Sequence, residues 1–181
     1  MRQRAVFLDR DGVINQAIVR EGKPYPPSNA AETVIFSDAA EALALLKKIG
    51  FLLVVVTNQP DVRRGTATRE QVEEIHRFLS ERLPLDDFFA CYHDDQDRCN
   101  CRKPLPGLLF EAAHQYDIDV KHSYLVGDRW RDIEAGSAAG CKTIFIDRRY
   151  NERSATVEPE AKVSSLRDAA HWIVKQEAEN T

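Results

Sequence analysis

The most constraining feature of this chain is a set of short, unbroken apolar runs, each stopping at a polar residue. Ala5-Val6-Phe7-Leu8 stops at Asp9, and Phe51 to Val56 stops at Thr57. Tyr124-Leu125-Val126 stops at Gly127-Asp128, and Thr143-Ile144-Phe145-Ile146 stops at Asp147. Runs without polar alternation fit strands buried on both faces, as in parallel sheets. Phe88-Phe89-Ala90-Cys91-Tyr92 is a weaker strand candidate.

Helical patterns lie between these runs. Asp38 and Glu41 predict a capped helix with Ala39, Ala42, Leu43, Leu46 and Ile49 inward, closed by Gly50. Thr68 and Gln71 form a capping box ahead of Val72, Ile75, Leu79 and Leu83. A third helix is expected from Pro106, with Leu108, Leu109, Ala112 and Tyr116 inward, and a fourth from about Asp132 to Ala139. A last helix follows Ser165. Strands alternating with helices predict an α/β fold, a doubly wound parallel sheet with helices on both faces. Residues 21–31 and 149–161 read as irregular loops, and 176–181 as a fraying end.

At 181 residues, 43% hydrophobic and 30% charged, the chain reads as one domain over 1–181 that buries a core without disulfides. Lysine plus arginine number 25 against 29 acidic residues, for a net charge of −4. That balance argues against a nucleic-acid partner and against electrostatic attachment to a membrane. No apolar run approaches a bilayer span, and the N-terminal run is too short for a secretory signal, so the expected compartment is the cytoplasm. A monomer is the default.

In parallel α/β sheets, ligands bind beyond the carboxyl ends of the strands. Asp9 and Asp11 follow the first strand, Thr57 and Asn58 the second, and Asp128 and Asp132 a later one; Lys103 lies in a loop before a helix. Carboxylates, a hydroxyl and an ammonium converging on one edge suit phosphoryl transfer with a hard divalent cation such as Mg²⁺. A carboxylate can also be the nucleophile. Any one of these residues alone also fits a turn or a solvated surface.

Together, Asp9-Arg10-Asp11-Gly12-Val13, Val56-Thr57-Asn58, Lys103-Pro104 and Gly127-Asp128 with Asp132 resemble, in order and spacing, the four motifs of the haloacid dehalogenase (HAD) superfamily. The resemblance spans roughly Ala5 to Ile146. It implies that Asp9 is the nucleophile and Asp11 the general acid and base. It implies that Asp9, the Asp11 carbonyl and Asp128 bind Mg²⁺, with Asp132 supporting the metal directly or through water. Thr57 and Asn58 are then expected to contact the phosphoryl group, and Lys103 to neutralise it.

Cys91, His93, Cys99 and Cys101 lie within eleven residues, a spacing that suits a closed, structural Cys₃His zinc site. Arg102 and Lys103 follow directly, so such a loop sets the residues that enter the active site. Cys141 stands apart and reads as a small buried residue. The other histidines, His76, His114, His122 and His171, have no metal-like partners in sequence.

The pattern Phe7-Leu8-Asp9-Arg10-Asp11-Gly12, then Thr57-Asn58-Gln59, then the cysteine loop running into Arg102-Lys103-Pro104 resembles a capless subgroup. That subgroup includes D-glycero-D-manno-heptose-1,7-bisphosphate phosphatases and histidinol-phosphate phosphatases. It implies a sugar bisphosphate losing its C7 phosphate as the first expectation and histidinol phosphate as the second. Pro60-Asp61 departs from the serine-glycine pair usual in the heptose enzymes, whereas Arg64-Gly65 keeps their arginine-glycine pair. Arg64, Arg102 and Arg129 are candidates to hold the second end of the substrate. A non-catalytic phosphate-binding protein and a polynucleotide 3′-phosphatase are rival expectations. The first is opposed by the presence of both Asp9 and Asp11, the second by the net charge.

Overall fold

A computed structural model of the chain describes residues 2–179. Strands β1 (Ala5–Leu8), β4 (Leu52–Asn58), β5 (Asp87–Cys91), β6 (Tyr124–Gly127), β7 (Lys142–Ile146) and β8 (Ala161–Val163) form one sheet in the order β5-β4-β1-β6-β7-β8. Every pairing in it is parallel. The helices are α1 (Ala39–Lys48), α2 (Asp61–Arg64), α3 (Arg69–Ser80), α4 (Gly107–Tyr116), α5 (Trp130–Ala139) and α6 (Leu166–Glu179).

The apolar runs behave as their composition requires. Val6 and Leu8 enter one core with Leu43, Leu46, Ile75, Leu79 and Ile173 from α1, α3 and α6. Ala5 and Phe7 point the other way, into a core with Leu108, Leu109, Ala112 and Ala135 from α4 and α5. The two-residue period of a strand thus feeds two cores from one run. The central strand β1 lies between β4 and β6, where the winding reverses, so its carboxyl end opens onto the crevice such sheets use for ligands.

Local signals hold at most helix ends. Thr68 and Gln71 make both bonds of the expected capping box on α3. Asp38 does not cap α1; its Oδ2 instead accepts the Arg167 N–H at 3.0 Å, in the first turn of α6. Tertiary packing gave that carboxylate a second helix to serve. The α5 helix begins at Trp130 rather than Asp132, because Asp132 sits at the third helical position and reaches back to the Arg129 N–H. Tyr116 is half-buried and donates its hydroxyl to Asp87 at 2.6 Å.

Residues 21–31 and 149–161 are more ordered than expected. Strands β2 (Ile18–Arg20) and β3 (Lys23–Tyr25) form an antiparallel hairpin turned by Glu21 and Gly22, both at positive φ (51° and 76°). Two-residue hairpin turns favour such angles. Between β1 and α1 this hairpin and a short 3₁₀ turn at Ala30–Glu32 are the only regular elements among the described residues, so no large cap is present there. Ala161 opens β8 at the sheet edge. Residues 176–179 continue α6, and positions 180 and 181 of the expected fraying end lie outside the described residues. Among the described residues, no helix is long and apolar enough to cross a membrane.

Candidate active site

The turn after β1 starts the site. Asp9 N–H bonds to the Val126 carbonyl at 3.0 Å, and the Arg10 carbonyl accepts from the N–H groups of Val13, Ile14 and Asn15. Gly12 takes φ +88°, and a Cβ there would lie 1.8 Å from Asp128 Oδ2. Only glycine lets this backbone pass so close to a second strand end. Gly127 has the same function on the other side, since a Cβ would sit 2.1 Å from Asp132 Cβ.

These approaches bring Asp9, Asp128 and Asp132 together as buried carboxylates whose nearest oxygens lie within 4.8 Å of one another. Lys103, 2% exposed, reaches in from the opposite loop. Its Nζ lies 2.9 Å from Asp9 Oδ1 and 2.6 Å from Asp132 Oδ1, and donates to the Val56 carbonyl at 2.8 Å. Asp132 therefore serves two donors, Lys103 through Oδ1 and the start of α5 through Oδ2.

The charges do not balance. Three carboxylates face one ammonium, which leaves two negative charges. Burial first, and then Asp132, push Asp9 up to about 6, with Lys103 pulling the other way. Burial and the charges of Asp9 and Asp132 drive Asp128 well above the carboxylate range. Burial works against the Lys103 ammonium, yet Asp132 and Asp9 outweigh it and hold the group charged. Both Asp128 oxygens are buried without a hydrogen bond in good geometry, although the Tyr150 hydroxyl lies beside them. Oxygen ligands, a deficit of two charges and an unsatisfied carboxylate fit a hard divalent cation.

Asp11 does not join this cluster. Its side chain turns toward Arg10, Asn15 and Gln59 and lines the rim of the pocket. Burial raises its carboxyl, but the Arg10 guanidinium and the bonds from Arg10, Asn15 and Gln59 outweigh that and hold it below the usual range. The expected metal contact of Asp11 was through its carbonyl, and the carboxylate is left for other work.

The remaining expected residues fall round one cavity of about 210 Å³, lined by Asp9, Asp11, Thr57, Asn58, Arg64, Arg102, Lys103 and Arg129 among others. Thr57 is buried and its hydroxyl accepts from Gln59 Nε2 at 2.9 Å. The Asn58 side-chain amide is committed to the backbone of Lys103, donating to its carbonyl at 3.0 Å and accepting its N–H at 3.1 Å. Asn58 therefore holds the Lys103 backbone in place while lining the same cavity. Arg64 is forked onto Asp94, with both bonds at 2.7 Å, and Arg102 pairs with Asp95 at 2.8 Å. Arg129 pairs with Glu152. Pro60 and Asp61, where the chain departs from its resemblance, start the short α2 helix that carries Arg64 to the rim.

Sequence reasoning missed several lining residues. Lys23 and Tyr25 come from the hairpin, Arg131 from α5, and Glu152 from the loop after β7. Only the Glu21-Gly22 turn, closed by the Arg20–Lys23 pair, carried a sequence signal, and Pro24 masked it.

The cysteine cluster forms as expected. Cys91 ends β5, and His93 Nδ1 lies 3.5 Å from Cys91 Sγ and 3.3 Å from Cys101 Sγ. Cys99 Sγ stands 3.9 Å from Cys91 Sγ, and the Cys91–Cys101 pair is closer, at 2.9 Å. All are free thiols. A tetrahedral ion bonded at ~2.3 Å to sulfur spaces its ligand atoms about 3.5–3.8 Å apart. Burial first, and then Cys101, raise Cys91 far above an ordinary cysteine, whereas at Cys99 burial is outweighed by backbone and thiol hydrogen bonds, which lower it. The four ligand atoms can hold a metal ion. Cys141 is buried, and burial and then Glu160 push its thiol up to about 12, as expected of an inert packing residue. His76 stacks on Phe88 at 4.6 Å, outside both candidate metal groups.

Comparison with known proteins agrees with this geometry. Residues 100–169 match the HAD-hydrolase-like family model. D-glycero-beta-D-manno-heptose-1,7-bisphosphate 7-phosphatase of Yersinia pestis is 34% identical over 97% of this chain and 92% of its own length. The Salmonella typhi enzyme of the same name is 36% identical, covering 96% of each chain. The crystal structure of D,D-heptose 1,7-bisphosphate phosphatase from B. bronchiseptica, complexed with magnesium and phosphate, superimposes with a TM-score of 0.83. It is 27% identical and covers 96% of this chain and 99% of its own. The chain belongs to the HAD-like phosphatases, in the family of the D-glycero-D-manno-heptose-1,7-bisphosphate 7-phosphatases.

Proposed function

We propose that this phosphatase removes the C7 phosphate of D-glycero-D-manno-heptose 1,7-bisphosphate through a phosphorylated Asp9. The observation that carries the reading is the Asp9 carboxylate, paired with Lys103 at 2.9 Å and facing a pocket rimmed by arginines. Asp9 attacks phosphorus in line with the leaving oxygen: its carboxylate oxygen–phosphorus bond forms to give an acyl phosphate as the phosphorus–sugar oxygen bond breaks, and the electron pair departs with the sugar oxygen. With the dianionic ester bound, Asp11 takes up a proton as one neutral amide donor, Asn15 or Gln59, gives way; it passes that proton to the departing sugar oxygen, then takes one from the water that cleaves the acyl phosphate. The Thr57 hydroxyl and the Lys103 ammonium meet the phosphoryl oxygens, where charge gathers. Asp9, Asp128, the Asp11 carbonyl and Asp132, the last directly or through water, would hold Mg²⁺, which supplies charge neutralisation at the transferring group. Arg64, Arg102 and Arg129 present guanidinium groups to the second phosphate end.

In the same reading, Cys91, His93, Cys99 and Cys101 hold a structural zinc that ties β5 to the Arg102-Lys103 segment. Residues 1–181 act as one domain, a monomer in the cytoplasm. Phosphate release from both anomers of the heptose bisphosphate, histidinol phosphate, other sugar phosphates and a 3′-phosphorylated oligonucleotide, with and without Mg²⁺, tests it. A Mg²⁺-dependent rate highest on one heptose anomer is expected. A higher rate on histidinol phosphate, or no turnover at all, overturns the substrate assignment.

A further inference from the structure

Arg10 is the residue of the Asp9–Gly12 turn that the reaction above leaves without a task. Among the described residues it is also the largest fully buried side chain, at 0% exposure. A buried guanidinium requires a partner. That partner is Asp11: Arg10 Nε donates to Oδ1 at 3.1 Å and Nη2 to Oδ2 at 3.0 Å. Asn15 adds a bond to Oδ1 at 3.0 Å and Gln59 one to Oδ2 at 2.9 Å. Four N–H donors thus hold the Asp11 carboxylate, two from the charged Arg10 fork and two from neutral amides that can yield a position to the leaving oxygen.

The surroundings leave Arg10 no other anchor. Its Nη1 has no hydrogen-bond partner among the described residues. The charge of Arg10 also reaches His76 and Tyr92, and both are neutral. Burial, reinforced by Arg10, brings the His76 imidazole down to about 3. Burial keeps the Tyr92 phenol protonated. The guanidinium is walled in on the protein side and forked onto a carboxylate on the pocket side. A rigid planar fork fixes the plane of a carboxylate, which a lysine ammonium does not.

The geometry points to Arg10 as the positioning residue of Asp11: its buried fork sets the plane in which that carboxylate meets the leaving oxygen of the bound phosphate ester. Arg10 acts only through Asp11, and the inference rests on the proposed role of Asp11 as general acid and base. Its effect therefore depends on whether the leaving group needs a proton. A sugar alkoxide needs one, whereas a nitrophenolate leaves without it.

The test uses the Mg²⁺-loaded full-length protein as wild type, Arg10→Lys, Asp11→Asn and the double variant. Single-turnover release of the leaving group is followed with heptose bisphosphate and with p-nitrophenyl phosphate. Arg10→Lys is expected to slow the sugar ester about a hundredfold, within the range of general acid catalysis, and the nitrophenyl ester by less than about threefold. Adding Arg10→Lys to Asp11→Asn should change neither rate by more than about twofold, as expected for residues acting as one unit. Equal losses on both esters, or a further loss in the Asp11→Asn background, overturn the inference. If Asp11→Asn itself slows both esters equally, the proposed role of Asp11 fails and takes this inference with it. If Asp11→Asn discriminates and Arg10→Lys does not, only the Arg10 inference fails. An NMR measurement covers the case in which Arg10→Lys does not fold. The Arg10 Nε–H signal should be protected from exchange in the wild type and lose that protection in Asp11→Asn. A signal that exchanges freely in the wild type, or one unchanged in Asp11→Asn, rejects the fork.

Discussion

The carboxylate centre gathers Asp9 from one strand end and Asp128 and Asp132 from another, more than a hundred residues away. The cysteine centre takes its four ligands from the eleven residues Cys91–Cys101. Both crowd acidic ligands at distances that suit a cation. The carboxylates are buried, held by two cores and by Lys103, so the fold builds that centre before any ion arrives. His93, Cys99 and Cys101 stand on a half-exposed loop in which the two cysteines only edge onto the second core and Asp94, Asp95 and Asp97 pair with arginines. One centre is prepared by the sheet, and the other, in the proposed reading, would organise its own loop once a metal binds.

The sharpest break in this comparison comes from Asp9→Asn. Turnover should fall by about four orders of magnitude or more, as when a nucleophile is removed, with the thermal melt little changed. Retained turnover would remove Asp9 from the chemistry. Zinc is the next largest effect. Cys99→Ser or chelation should release about one metal per chain and loosen residues 91–103, seen as faster amide exchange there, while β1 and β6 stay protected. Loss of protection across the whole sheet would show that the loop is no separate organiser.

Lys103→Met removes the cation paired with Asp9 and Asp132 and should destabilise the protein by about 3–5 kcal/mol, read from the denaturant midpoint. An unchanged midpoint would mean that the fold does not depend on this pairing. The pH response sharpens the same point. Asp9 is raised from 3.8 to about 6, so between these values the folded state holds more protons than the unfolded one. Its contribution to stability in the metal-free protein therefore declines as pH rises from about 4 to about 6. Mg²⁺ should remove that penalty, so the gain in melting temperature on adding Mg²⁺ should be larger at pH 7 than at pH 5. A gain independent of pH would place the ion away from Asp9. The smallest effect belongs to Arg63, which is mostly exposed and pairs with Asp97 at 3.1 Å. Arg63→Ala should cost under about 0.5 kcal/mol.

The parts of this molecule that could be read in one dimension share a physical reason. A run such as Leu53-Val54-Val55-Val56 has no stable place except a strand covered on both faces, and the carboxyl ends of such strands open onto the ligand crevice. The cysteine cluster was legible because all of its ligands sit on one short loop. Asp9, Thr57, Lys103 and Asp128 were legible through the order and spacing of motifs at separate strand ends.

Other features depended on contacts that spacing does not carry. Asp38 left its own helix to cap α6, because packing of α1 beside α6 offered a better donor. Asn58 lines the pocket, yet its amide is paired with the backbone of Lys103. Lys23, Tyr25 and Glu152 reach the pocket from two segments, the hairpin and the loop after β7, which the Asn151 N–H ties together by a bond to the Gly22 carbonyl at 2.8 Å. Residue type and period determined the sheet, the ligands and the reaction class, since burial and donor chemistry are properties of the side chains themselves. Which carboxylates cluster with Lys103 and which is forked by Arg10 was decided by the tertiary structure, because a hydrogen bond depends on where both partners finish in space.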